Sequence, residues 1–152
     1  MQFEQKITEL GLALPNVAAP AGSYLPALTS GNLVFTAGQL PIVEGKLVAT
    51  GKVGSEITLE EATELARKCI LNGLAAVKNE IGDLDRIKRI VKLVGFVSSA
   101  PSFTQQPQVI NGASDLLGEI FGEVGRHARS AVGVAVLPLN APVEIELIVE
   151  FD

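Results

Sequence analysis

Apolar residues recur along this chain with two different periods, and the period changes mark its elements. Phe3, Ile7 and Leu10 fall at near-helical spacing before Gly11, which predicts a short amphipathic helix over residues 2–10. Residues 14–23 are rich in Pro, Gly and Ala and read as an extended connector. Residues 24–29 and 33–36 flank Ser30-Gly31-Asn32 as a hairpin, Gly38-Gln39-Leu40-Pro41 ends its second strand, and residues 46–49 form a weak third strand after a turn at Gly45. Thr58 followed by Glu61 is a capping box. Behind it Ala62, Leu65, Ala66, Cys69, Ile70, Leu74 and Val77 form one helical stripe that stops at Gly82. Residues 87–97 are a long strand. Pro107 opens a second helix with Ile110, Ala113, Leu116, Leu117, Ile120 and Phe121 on its apolar face, ended by Gly122 or Gly125. Two strands close the chain, at 128–136 and 143–151, and residues 137–142 read as the hairpin loop between them.

Long amphipathic helices need a surface to lie on, and the strands supply it. The order predicts a single α+β domain over 1–152, a mixed sheet with both helices on one face. Hydrophobic residues make up 47% and mean hydropathy is +0.36, so the second sheet face holds apolar surface to bury between subunits. A net charge of −5 argues against nucleic acid and anionic membranes as partners. One Cys and one His are too few for a metal constellation, and no cofactor motif is present. The start lacks a basic region followed by an apolar run, and no apolar stretch reaches membrane-spanning length, so a cytoplasmic protein is expected.

The candidate chemistry lies at the C-terminal end. Ser130, Val132, Val134 and Val136 alternate with Arg129, Ala131, Gly133 and Ala135. The valine face reads as core. The small residues beside Arg129 leave room next to a forked, permanent cation, which suits a carboxylate ligand. The same pattern also fits close subunit packing with Arg129 paired to a structural acid. In the last strand Glu144, Glu146, Ile148 and Glu150 share a face, which reads equally as a solvated edge. With Val136 opposite Val143 in a hairpin, Arg129 and Glu144 stand six residues apart, about 20 Å. A site using both must then be shared between two subunits. His127 reads as a surface or capping residue without a dyad partner, and Cys69 as a buried inert thiol. Tyr24 reads as an interface anchor or ligand lid, and Gly38 as a backbone approach or a bulge.

Arg129-Ser130-Ala131-Val132, then Leu137-Pro138 and Val143-Glu144-Ile145-Glu146, resembles the C-terminal signature of the RidA/YjgF family, also called the endoribonuclease L-PSP family. Residues 31–41 resemble its N-terminal signature, and Gly22-Ser23-Tyr24 its Gly-Pro-Tyr. The resemblance implies a chorismate-mutase-like fold and a homotrimer with clefts between subunits. It also implies hydrolysis of 2-imino acids and their enamine tautomers to 2-keto acids and ammonia. In that family's terms Arg129 holds the substrate carboxylate, Glu144 positions water, Tyr24 lines the cleft and Gly38 offers a backbone contact; Ala131 lies beside the substrate. The chain departs from the pattern at Ala131, where family deaminases usually have cysteine, and at Ala37, where they often have serine. Three functions stay open: imine deaminase, non-catalytic carboxylate-binding trimer, and endoribonuclease.

Overall fold

The capping box at Thr58 starts the longest helix. In the computed structural model, which describes residues 2–20 and 22–152, α2 runs Leu59–Ile81. Thr58 Oγ1 accepts from the Glu61 amide at 3.1 Å and donates to the Glu61 carboxylate at 3.2 Å. Gly82, at φ 89°, ends the helix by giving its N–H to the Lys78 carbonyl. Before it come α1 (Gln2–Glu9), β1 (Ala27–Ser30), β2 (Leu33–Thr36), β3 (Ile42–Val43) and β4 (Lys46–Leu47). After it come β5 (Ile87–Ser98), α3 (Gln106–Phe121), β6 (Ala128–Val134) and β7 (Val143–Phe151). The connector is irregular as expected, although Ala21 within it lies outside the described residues. The sequence missed β3, whose two residues are too short to carry a period.

α2 and α3 cover one face of a five-stranded sheet ordered β1-β2-β7-β5-β6. Leu65, Cys69, Ile70, Leu74 and Val77 of α2 and Ile110, Ala113, Leu116 and Leu117 of α3 meet Val34, Leu93, Val97, Ile145, Leu147 and Val149 in one core. Burying a large aliphatic side chain stabilises by about 1.5–3 kcal/mol, so this seam dominates the fold. Its tightness depends on small residues. A Cβ on Gly95 of β5 would lie 2.5 Å from Ile110 Cδ1, and one on Gly112 of α3 would strike the Thr63 carbonyl of α2. α1 closes one end. Phe3 packs against Phe121 with the rings tilted and their centroids 4.6 Å apart, and the Asp85 carboxylate accepts the Gln2 and Phe3 amides at 2.8 and 3.0 Å.

The expected β6–β7 hairpin does not form. β6 pairs parallel with β5, while β7 lies antiparallel between β5 and β2. Residues 137–142 carry the chain past the end of β5 instead. There Ser99 N–H donates to Val134 and Ser98 N–H to Pro142, so β5 is clasped from both sides. The physical reason is burial. β7 alternates large apolar residues that fill the helix side, whereas β6 has small residues there and suits an edge. The faces of β6 are also reversed from the sequence reading. Arg129 pairs with Leu93 and so faces the helix layer; Val132 pairs with Phe96 on the open face and is 44% exposed.

Replacing Gly112 with Ala is expected to cost about 1–3 kcal/mol, since the obstructing atom is backbone and cannot rotate away. Gly118 lies on the exposed side of the same helix, and a methyl group there would meet nothing within 4 Å. Gly118→Ala is expected to stabilise by about 0.4–1 kcal/mol. Urea-unfolding midpoints at one protein concentration read both.

Candidate functional site

Arg129 is held by α3, not by an acid. Its Nη1 donates to Asn111 Oδ1 at 2.8 Å and to Ser114 Oγ at 3.1 Å, and its Nη2 donates to the Pro107 carbonyl at 3.3 Å. All three acceptors are neutral. No carboxylate among the described residues lies within ion-pair distance of the guanidinium. The helix thus fixes the fork's direction while leaving its charge uncompensated, at the edge strand of the sheet. Ala131, the next residue on the same face, packs against the core opposite Gly95 and is half-buried.

Behind Arg129 stands a polar chain that the sequence did not reveal. His127 Nδ1 lies 2.6 Å from the Gly125 carbonyl, so that nitrogen carries the proton. In the neutral ring Nε2 is then an acceptor, and it lies 2.9 Å from Ser114 Oγ. Ser114 therefore donates to His127 and accepts from Arg129. His127 has a partner after all, though thirteen residues away on α3. Asn111 and Ser114, three apart beside the apolar stripe of that helix, were the available signal.

Glu144 lies on the other side of the sheet. It pairs with Phe96 and is half-buried on the open face. Burial raises its carboxyl above the ordinary 4.5, and the Glu146 carboxylate on the same face adds to the rise. Gly38 packs directly on it: any Cβ there would strike the Glu144 carboxylate. The bridge between Gln39 and Ile145, with N–H to O distances of 2.7 and 3.0 Å, keeps this contact in place. The Gly38 N–H has no partner among the described residues. Tyr24, 48% exposed, stands on the segment entering β1, against Gly22.

The structure thus joins Gly38 to Glu144 and Ala131 to Arg129, but keeps the two groups apart. Arg129 and Glu144 are three residues apart along the strands and two strands apart across them, about 14 Å between backbones. That replaces the 20 Å of the hairpin register. They also point to opposite faces, so one protomer cannot close both around a small ligand. Cys69 is fully buried, and burial, then the nearby Glu144 carboxylate, pushes its thiol well up, as an inert core thiol requires. Among the described residues no group of His, Cys, Asp and Glu could hold a metal ion, and no helix is long and apolar enough to cross a membrane.

The chain is similar to known proteins over nearly its whole length. The family model described as "YjgF/chorismate_mutase-like, putative endoribonuclease" matches residues 4–151. Protein TCP17 of Trypanosoma cruzi is 48% identical over 147 residues, covering 96% of this chain and 92% of that one. A 2-iminobutanoate/2-iminopropanoate deaminase of Dermatophagoides farinae is 31% identical over 142 residues, covering 93% and 95%. The crystal structure of a protein of unknown function from Agrobacterium tumefaciens superposes with a TM-score of 0.92 at 50% identity, covering 99% of this chain and 92% of that one. With its mixed sheet backed by helices on one face and its family signature running nearly end to end, the chain belongs to the YjgF/RidA family.

Proposed function

We propose that this protein hydrolyses 2-imino acids and their enamine tautomers to 2-keto acids and ammonia, at clefts between the subunits of a homotrimer. The observation that carries this reading is the guanidinium of Arg129, aimed by three neutral acceptors and lacking an acid of its own. A carboxylate supplied by a ligand completes it with a bidentate pair. The family resemblance and the imine-deaminase relative supply the substrate class.

Assembly supplies the second half of the site. The open sheet face exposes Leu28, Phe35 and Val132, which is apolar surface for a neighbouring copy to cover. Packing protomers through that face brings the Glu144 of one copy toward the Arg129 edge of another. An iminium carbon is already electrophilic, so hydrolysis there proceeds without a covalent nucleophile. Arg129 fixes the carboxylate and hence the face of the C=N bond presented to water. Glu144 takes a proton from the attacking water as its oxygen bonds to that carbon. The resulting carbinolamine takes that proton back on nitrogen and gives its hydroxyl proton to Glu144 as the C–N bond breaks; the departing ammonia then takes this proton and leaves as ammonium, giving the 2-keto acid and the free carboxylate. A carboxyl with a raised pKa suits this alternation of base and acid. Gly38 leaves the room for that carboxyl, and its free N–H is a donor for the developing oxygen. Tyr24 closes the cleft from its exposed segment.

A second reading has its own observation. Ala131 and Ala37 put methyl groups where polar side chains stand in family deaminases, which fits a trimer that binds small carboxylates without turning them over. An endoribonuclease activity fits the charge of −5 and the scarcity of aromatic-basic surface poorly.

Arg129→Met is expected to lower kcat/KM for freshly generated imino acids by about 100-fold or more while leaving the oligomer intact by light scattering. Wild-type turnover in that variant would sink the reading, and saturable 2-keto acid binding without turnover in the wild type would favour the carboxylate-binding trimer. Glu144→Gln is expected to cost about 10²–10⁴ in kcat, with carboxylate binding retained in calorimetry. The same variant has a signature in stability. A carboxyl whose folded pKa is raised favours the folded state below 4.5 and loses that advantage as pH rises through the raised value. Glu144→Gln should therefore unfold at higher urea than wild type near neutral pH, and the gap should close on acidification below 4.5.

A further inference from the structure

A cleft of about 740 Å³ opens on the helix side of the molecule, between the connector after α1, the β3–β4 turn and α2. It shares none of Arg129, Glu144, Tyr24, Gly38 or Ala131. Its size is that of a small-molecule pocket. Leu12, Leu14, Val17 and Leu71 make its walls apolar, and Leu12 and Leu14 are pinned because they also pack on the core.

Four polar side chains interrupt this lining: Asn16 on the connector, and Asn72, Lys68 and Glu44. Asn72 is only 2% exposed, and its Nδ2 donates to the Leu40 and Ile42 carbonyls at 3.0 and 2.9 Å. Both amide hydrogens are thereby used, so the orientation of the amide is fixed, with Oδ1 on the remaining side. That oxygen accepts no hydrogen bond among the described residues, and Asn72 lines the cleft. This acceptor is not sealed from solvent, so water meets it in the empty cleft and a donor on a ligand can take that water's place. Lys68, one helical turn before Asn72 on the same face of α2, lines the cleft without an ion-pair partner among the described residues. Glu44 lines it from the β3–β4 turn, where it takes φ 52°.

From this set we infer a binding site for an apolar α-amino acid in its zwitterionic form. Its carboxylate meets the Lys68 ammonium. Its own ammonium donates to Asn72 Oδ1 and the Glu44 carboxylate. Its side chain lies on the leucine and valine wall. A simple fatty acid would leave the Asn72 acceptor unmet, and an apolar amine would leave Lys68 without a counter-charge. A ligand carrying both signs next to an apolar body satisfies Lys68, Asn72 and Glu44 together.

Isothermal titration of L-leucine and L-phenylalanine into the full chain tests this, with isocaproate and isoamylamine as single-headed controls. The expected result is saturable binding at one site per chain that persists in Arg129→Met. Lys68→Met should weaken it by about tenfold or more, as should loss of either head group from the ligand. Glu44→Gln, on an exposed turn, provides a second variant with the same expected direction. Absence of binding, abolition by Arg129→Met, or indifference to both Lys68→Met and Glu44→Gln would overturn the assignment. None of these outcomes bears on imine turnover, which Arg129→Met tests separately.

Discussion

The position of β7 between β2 and β5 governs what this molecule can do. That strand brings Ile145, Leu147 and Val149 under the helices and, by the two-residue period, sends Glu144, Glu146 and Glu150 to the open face. β5 separates it from β6, so Arg129 comes to lie on the helix side of an edge strand. A cation and an acid side by side on one face of neighbouring strands could neutralise one another. Here the sheet itself keeps them apart, and each reaches the surface with its chemistry unspent.

Each half is then prepared by its own surroundings. On the helix side, the neutral oxygens of Asn111, Ser114 and Pro107 aim the guanidinium without cancelling it. The chain from Gly125 through His127 to Ser114 decides which way the serine hydroxyl points, and so which lone pairs Arg129 meets. On the open face, partial burial and Glu146 hold the Glu144 carboxyl above its ordinary range, while Gly38 supplies the space it occupies. Under the proposed function, two half-sites on opposite faces tie the chemistry to assembly.

The cleft beside Asn72 follows a different logic. It depends on the connector and on the small β3–β4 hairpin, elements added around the sheet rather than built into it. Asn72 joins the two: its amide ties down the carbonyls leading into β3 and leaves one acceptor facing the cleft. A polar side chain in the middle of a core helix has here both a structural use and a free end.

Much of this was legible in the order of residues. Local signals marked the elements because their causes are local: Thr58 and Glu61 cap α2, Gly82 stops it, and the alternation of β7 shows its bounds. The family signatures singled out Arg129, Glu144, Tyr24, Gly38 and Ala131. Strand neighbours were a different matter. Two adjacent strands with a short connection look like a hairpin, and nothing local says that a third strand intervenes; that is settled by which strand has large side chains enough to fill the space under two helices. The same non-local choice reversed the faces of β6, gave His127 its serine and left an Asn72 oxygen open to the cleft. Sequence determined which segments are helix and strand and which residues carry charge. Tertiary packing alone decided which of them face each other, because that depends on burial summed over the whole sheet.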